Sequence, residues 1–315
     1  MKAKKITLIY PFSYGYIDHV VSELKSHREL IITEIKTDTI KYQYPNVLYK
    51  IWNSINKLFG KNIKKQYFLT QILNQITENQ DIIFIIRPDL LDNFLLKKLK
   101  KRTNIFMAYF YDSCKKYPQQ LKISHFFDEI YSYEKEDIKN YNFIETSNFI
   151  YDETIESKEI KYDIFNISSF DSRIDEIDSV SKTLFDGGLK IYFILFWFKK
   201  LSYQHLHSTT KYLSLQETKN FIFQSKSMID IQRNDQSGLS FRTFESLGYR
   251  KKLITTNSIV KEYDFYHPNN ILVINSKNID IPEIKHFLEL PYVEISQDLI
   301  NQYSVKNFTK KIFKI

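Results

Sequence analysis

The stretch Gln236-Ser237-Gly238-Leu239-Ser240-Phe241-Arg242-Thr243-Phe244-Glu245-Ser246-Leu247-Gly248, followed by Lys251-Lys252-Leu253-Ile254-Thr255-Thr256-Asn257, decides how this chain is read. It spells a glycine-containing turn, a short helix with one arginine and one glutamate, a second glycine and a buried strand. Glycine ahead of a helix lets the backbone approach an anion closely. The helix N-terminus adds free N–H groups and the positive end of its dipole, which suit a phosphate. Glu245 falls about a turn and a half into that helix, where a carboxylate can accept hydrogen bonds from sugar hydroxyls. A ligand carrying both phosphate and sugar needs these parts.

Outward from that stretch, the 315 residues allow two domains of ordinary size. Hydrophobic residues make up 43% of the chain, enough for a real core and too many for disorder. Cys114 is the single cysteine, which excludes an intrachain disulfide and a cysteine-based zinc site and fits a reducing cytoplasm. The apolar run Ile6-Thr7-Leu8-Ile9-Tyr10 is too short for a signal-peptide core, and Pro11 ends it. The longest apolar run, Ile191-Tyr192-Phe193-Ile194-Leu195-Phe196-Trp197-Phe198, cannot span a bilayer as a helix. It reads as a central strand buried on both faces.

The formal net charge is +8, a balance that favours anionic partners. The densest basic cluster is Lys97-Lys98-Leu99-Lys100-Lys101-Arg102, with Lys115 and Lys116 nearby. It reads either as the solvated end of a helix or as a peripheral contact with the anionic inner face of a membrane. The second would gain about 1 kcal/mol per basic residue. Basic residues are otherwise spread through the chain and no nucleic-acid-binding motif is present, so nucleic acid is not the expected partner.

Strand-like runs at residues 6–10, 30–35, 82–86, 105–110 and 129–131 are followed by a second set at 162–167, 191–198, 227–231, 252–255 and 271–274. Helical patterns at 17–26, 90–101, 175–185, 215–224 and 239–247 alternate with them. Alternation of this kind predicts an α/β fold of parallel sheets with crossover helices. Two such series predict a domain over residues 1–150 and another over 160–297, joined by a polar, acidic linker near 146–160. Residues 298–315 read as a basic C-terminal helix, expected to pack back on the first domain. Residues 42–77 read as a two-helix insertion broken at Gly60.

Ligands of doubly wound sheets bind beyond the carboxyl ends of the strands. Those ends carry Tyr14-Gly15-Tyr16, Arg87, Tyr111-Asp112-Ser113, Ser168-Ser169-Phe170-Asp171-Ser172-Arg173 and Arg233-Asn234-Asp235. Polar groups gathered there predict a cleft between two domains.

The second half resembles the nucleotide-sugar-binding domain of GT-B glycosyltransferases, and within them a bacterial group related to CgeB-like and capsule or lipopolysaccharide biosynthesis transferases. The resemblance is carried by Asp163-Ile164-Phe165-Asn166-Ile167-Ser168-Ser169-Phe170-Asp171-Ser172-Arg173, by the opening stretch, and by Tyr263-Asp264-Phe265-Tyr266. It is weaker in the first half, at Tyr109-Phe110-Tyr111-Asp112-Ser113 and Phe127-Asp128-Glu129-Ile130-Tyr131-Ser132-Tyr133. It implies two Rossmann-like domains with parallel sheets facing across a cleft, donor on the second and glycan or glycolipid acceptor on the first. It implies no cofactor and no metal, and the sequence shows no Asp-x-Asp and no His/Glu pair at metal-ligand spacing.

Carried onto this chain, the resemblance makes Glu245 the ligand of the ribose hydroxyls. Many retaining members have a second acid eight positions earlier, where this chain has Ser237. Gly238 would bring backbone to the donor, with Gln236, Ser237 and Ser240 supplying polar contacts. Arg242 would bind phosphate or pair with Glu245. Arg173 and Ser169 would hold the diphosphate, or else Ser169 or Asp171 would cap a helix and Arg173 face solvent. Asp112 would deprotonate an acceptor hydroxyl or cap the helix that follows it. His19 is the other candidate base, oriented by Asp112, or is an ordinary helix residue. Tyr14, Gly15 and Tyr16 would shape the acceptor site. Competing expectations are a GT-B-fold transferase of another activated group such as polyol phosphate, and a non-catalytic basic nucleotide- or nucleic-acid-binding module.

Overall fold

The computed structural model describes residues 3–58, 62–76 and 79–315; Gly60, the expected break in the insertion, lies outside them. The chain forms two compact units, one of residues 1–13 and 17–145, the other of Tyr14–Tyr16 and Thr146–Ile315.

The first unit runs β1 (Lys4–Tyr10), α1 (Tyr16–Ser26), β2 (Leu30–Lys36), α2 (Val47–Leu58), α3 (Ile63–Gln75), β3 (Gln80–Ile86), α4 (Asn93–Lys100), β4 (Thr103–Phe110), α5 (Gln119–Ile123), β5 (Glu129–Ser132), α6 (Lys135–Tyr141) and β6 (Ile144–Glu145). Its strands pair in parallel in the order β2-β1-β3-β4-β5-β6. Five of these strands follow the flavodoxin-like order, whose chain direction reverses between β1 and β3. Alternate strand residues, among them Ile9, Ile83, Ile85, Phe106 and Ala108, pack with Ile72 of α3 and Leu95, Leu96 and Leu99 of α4. The short edge strand β6 was not expected; two residues carry no readable periodicity.

The second unit runs β7 (Tyr162–Ser169), α7 (Ile174–Asp186), β8 (Ile191–Phe196), β9 (Leu206–Thr209), α8 (Leu215–Phe223), β10 (Ser225–Asp230), α9 (Phe241–Gly248), β11 (Lys252–Thr255), β12 (Ile271–Val273), α10 (Ile281–Glu289), α11 (Gln297–Gln302) and α12 (Val305–Phe313). Its order is β12-β11-β10-β7-β8-β9, the Rossmann arrangement, again all parallel. One core lies under α8, α9 and α11, around Ile222, Phe244, Leu247 and Ile300. The other lies under α7 and α10, around Ile177, Val180, Leu184, Ile284 and Phe287. The terminal helices α11 and α12 fall within this unit.

Two expectations change. The apolar run at 191–198 is not central: β8 stands next to the edge strand β9 and stops at Phe196, leaving Phe198 64% exposed. The basic cluster on α4 is partly structural. Lys100 Nζ donates to the Phe126 carbonyl (2.6 Å) and to Asp128 (2.9 Å), and Arg102 donates to the carbonyls of Leu73 (2.6 Å) and Ile76 (3.0 Å) at the end of α3.

Candidate functional site

The chain direction of the second sheet reverses between β7 and β10, and Rossmann-type sheets take ligands in the crevice beyond that point. Ser169 ends β7 there. Arg173 reaches across the reversal: its guanidinium donates to both oxygens of Asp171 (3.0 and 2.8 Å) and to the Ile231 carbonyl just past β10. Arg233 pairs with Asp235 (2.9 Å) and approaches Asp171 (3.9 Å). Burial opposes the Asp171 charge, but the hydrogen bonds and charge of Arg173 outweigh it and hold the carboxyl below its usual range. Of the capping alternative, Asp171 Oδ1 accepts from the Arg173 amide (2.9 Å) in the turn that opens α7, while Arg173 is held by Asp171 and does not face solvent freely.

The loop from β10 into α9 is pinned along its length. Ser240 is the N-cap of α9, accepting from the Arg242 amide (3.2 Å) and donating to Asp230 at the end of β10 (2.7 Å). Asn257 donates to the Gly238 carbonyl (3.0 Å), Asn148 to the Leu239 carbonyl (2.8 Å) and Gln232 to the Gln236 carbonyl (2.6 Å). Ser237 lies half-buried between these anchors. Asp230, Asn257 and Asn148 were missed in the sequence, because Asp230 acts through the Ser240 hydroxyl and the two asparagines through backbone carbonyls, none of them adjacent along the chain.

Glu245 is 1% exposed and fully engaged. One oxygen accepts from the hydroxyls of Tyr16 (3.1 Å) and Tyr151 (2.8 Å), and the other pairs with Arg242. The pairing reading of Arg242 is therefore the one the structure displays. The network continues from Tyr151 to Tyr249 (3.2 Å), from Tyr249 to Asp152 (3.5 Å) and from Asp152 to the buried Lys219 (2.6 Å). Burial pushes the hydroxyls of Tyr16, Tyr151 and Tyr249 well above the ordinary tyrosine range, and the Glu245 charge adds to it in each.

Tyr14, Gly15 and Tyr16, expected on the acceptor side, belong to the second unit. Tyr14 and Gly15 both take the left-handed backbone, with φ of 57° and 93°, which Gly15 adopts without strain. The turn lays the Tyr16 ring flat on Phe241 of α9, centroids 3.9 Å apart, and sets Tyr14 edge-on to Tyr212 at 5.4 Å.

Asp112 follows β4 in the first unit, where Arg87 (3.1 Å) and Lys116 (2.5 Å) grip its two oxygens. Arg87 itself holds Asp89 with two bonds, stacks over Tyr117 at 3.8 Å and has left-handed φ of 56°. Asp112 does not cap α5, whose N-cap is Pro118. His19 is half-buried on α1. His205 and His207 pack on Phe185 and Tyr192. Burial pushes the Cys114 thiol far up, so it does not present a ready thiolate.

A cavity of about 820 Å³ opens beyond β10, β11 and β12, lined by Asp175, Glu176, Gln232, Asn234, Thr256 and Lys277 among others. None of the expected donor residues lines it, and its two carboxylates against one lysine do not suit a diphosphate. Among the described residues, no group of three or more His, Cys, Asp or Glu could hold a metal, and no helix is long and apolar enough to cross a membrane.

No family model and no curated protein sequence matches the chain. Solved structures do match over nearly its whole length. AviGT4, a glycosyltransferase involved in avilamycin A biosynthesis, superposes with a TM-score of 0.59 at 7% identity, covering 99% of this chain and 96% of that one. An α,α-trehalose-phosphate synthase (UDP-forming) from Burkholderia xenovorans gives 0.58 at 9% identity, covering 98% and 99%. A putative UDP-N-acetylglucosamine 2-epimerase from Listeria monocytogenes gives 0.54 at 10% identity, covering 99% and 94%. The chain is thus α/β with a GT-B-like fold of two Rossmann-like units.

Proposed function

We propose that the chain is a glycosyltransferase that moves a sugar from a nucleoside-diphosphate sugar to a hydroxyl of a surface glycan, in the manner of the CgeB-like, capsule and lipopolysaccharide transferases it resembles. One observation carries the reading: at the β7/β10 reversal of a Rossmann sheet, Ser169 ends β7, Arg173 bonds the Ile231 carbonyl just past β10, and Ser240, the cap of α9, bonds Asp230 at the end of that same strand. Arginines and helix N–H groups there can neutralise the diphosphate as it leaves, without a metal. Gln236, Ser237, Gly238 and Ser240 border that position and supply polar groups to the donor. Glu245 takes the ribose hydroxyls in exchange for those of Tyr16 and Tyr151, which already bond to the same oxygen. Asp112 is the proposed base, released from Lys116 when acceptor binds, with His19 as the other candidate. Removal of the true base, by Asp112→Asn or His19→Gln, would lower kcat by about a hundredfold or more.

The first test is a thermal-shift series against UDP, GDP, CMP, TDP and their sugars, with Arg233→Ala and Glu245→Gln beside the wild type. At least one nucleotide should raise the wild-type melting temperature, and both variants should lose most of that rise. If no nucleotide stabilises the wild type, the function is not this one. If Glu245→Gln binds as well as wild type, Glu245 is a structural ion-pair member and not a donor ligand. The likeness to an epimerase supplies the rival reading. Labelled donor converted to a new sugar nucleotide without any acceptor would favour it, and label transferred as a polyol phosphate would favour the other activated-group reading.

A further inference from the structure

Helix α2 (Val47–Leu58) reverses the usual order of a surface helix. A helix on a soluble domain turns its apolar stripe to the core and its polar face to water. Here the inward residue is Asn53, fully buried, donating to the Tyr44 hydroxyl (2.6 Å) and accepting from the Ile63 amide (2.9 Å). At about 100° per residue, Val47, Leu48, Ile51 and Ile55 fall on the side opposite Asn53. They face outward: Leu48 is 74% exposed, Ile51 52% and Ile55 51%. Trp52 flanks the stripe and is also exposed, with Tyr49 against it at 6.0 Å, while Lys50 and Lys57 lie on the polar side.

Charge along this segment of the chain has one sign, although Lys65 pairs with Asp92 at the start of α4 (3.0 Å). Residues 39–77 hold six lysines, Lys41, Lys50, Lys57, Lys61, Lys64 and Lys65, and no aspartate or glutamate. We propose that α2 docks in the plane of an anionic lipid surface, its Leu48–Ile51–Ile55 stripe sunk to the headgroup boundary and its lysines on the phosphates. An apolar face with an aromatic edge and lysines on the polar side is the pattern of an interfacial helix. A second copy of the chain would set the same lysines against each other. Nucleic acid would pair the lysines and leave the apolar stripe in water. The surface lies on α2 and not on the cluster at 97–102, where Lys100 and Arg102, two of its five basic residues, are tied up. The proposal does not rest on glycosyl transfer, because vesicle binding and nucleotide binding are read separately.

The test uses the full chain and vesicles of phosphatidylglycerol with phosphatidylcholine against phosphatidylcholine alone. Wild type should sediment with the anionic vesicles and bind the neutral ones at least about tenfold more weakly, the difference shrinking with added salt. Ile51→Asp with Ile55→Asp should lower vesicle binding by on the order of tenfold or more, with the melting temperature and nucleotide response unchanged because both side chains face outward. Lys50→Glu with Lys57→Glu should weaken binding to anionic vesicles alone. In Trp197→Phe protein, Trp52 is the single tryptophan, and its emission should shift to the blue on vesicles. Wild type left in the supernatant, or unaltered vesicle binding by the isoleucine variant, overturns the proposal. So does a wild-type dimer that this variant splits, or capture by duplex DNA without capture by vesicles.

Discussion

At the scale of single residues, the second unit stores an unusual amount of polar chemistry in a dry place. Glu245 is fully buried and pairs with Arg242, whose side chain keeps 19% exposure; Tyr16 and Tyr151 donate to the same carboxylate, and Tyr249 bonds to Tyr151. A buried carboxylate costs desolvation and returns it only if its oxygens are bonded, which Arg242 and the two tyrosine hydroxyls accomplish. The same tyrosines set an alkaline limit. Their folded pKa values are raised, so an unfolded chain loses these protons first, near pH 10. Stability from this source is complete below about pH 10 and falls as pH rises beyond it. Urea titrations between pH 8 and 11 should show that fall, and Tyr16→Phe with Tyr151→Phe should flatten it. An unchanged slope in the double variant would assign the alkaline loss to other groups. The pairing of Glu245 with Arg242 was one of two readings of their spacing on the helix. The tyrosine partners of Glu245 were not readable, since Tyr16 lies 229 positions away in sequence.

At the scale of elements, α9 is held by its two ends. Ser240 caps the start and ties it to β10 through Asp230. Ser240→Ala should cost about 1 kcal/mol in a denaturant titration. At the other end, Gly248 has no room for a side chain: a β-carbon would stand 2.5 Å from the Asp152 carbonyl oxygen and 2.6 Å from Ile150. Gly248→Ala should cost about 1–3 kcal/mol through overpacking, more than the usual small effect of that change in a helix. A cost below that of Ser240→Ala would show that the 150–152 segment yields easily. The sequence singled out Ser240 as a donor contact inside a helix read as 239–247, and Gly248 as the glycine that follows that helix. That Gly248 is a contact glycine depends on where residues 150–152 pass, and only packing decides that.

At the scale of the whole molecule, each unit has its own sheet and its own core. Calorimetry should then resolve two transitions, and a bound donor nucleotide should raise only the one belonging to the second unit. The rise would correspond to about 2.7 kcal/mol at a hundredfold excess over Kd. A single transition that moves as a whole would show the two units unfolding together. The sequence by itself determined the α/β class and the strands other than β6 and β9, because parallel strands buried on both faces write long apolar runs that turn residues separate. It also placed the polar groups at strand ends. Tertiary structure alone decided the strand orders, since β1 to β6 and β7 to β12 alternate alike along the chain yet wind differently in space. It also decided that Tyr14–Tyr16 joins the second unit, that Glu245 is sealed by tyrosines, and that α2 shows its apolar side outward. Those outcomes depend on contacts between residues far apart in the chain, which local periodicity does not encode.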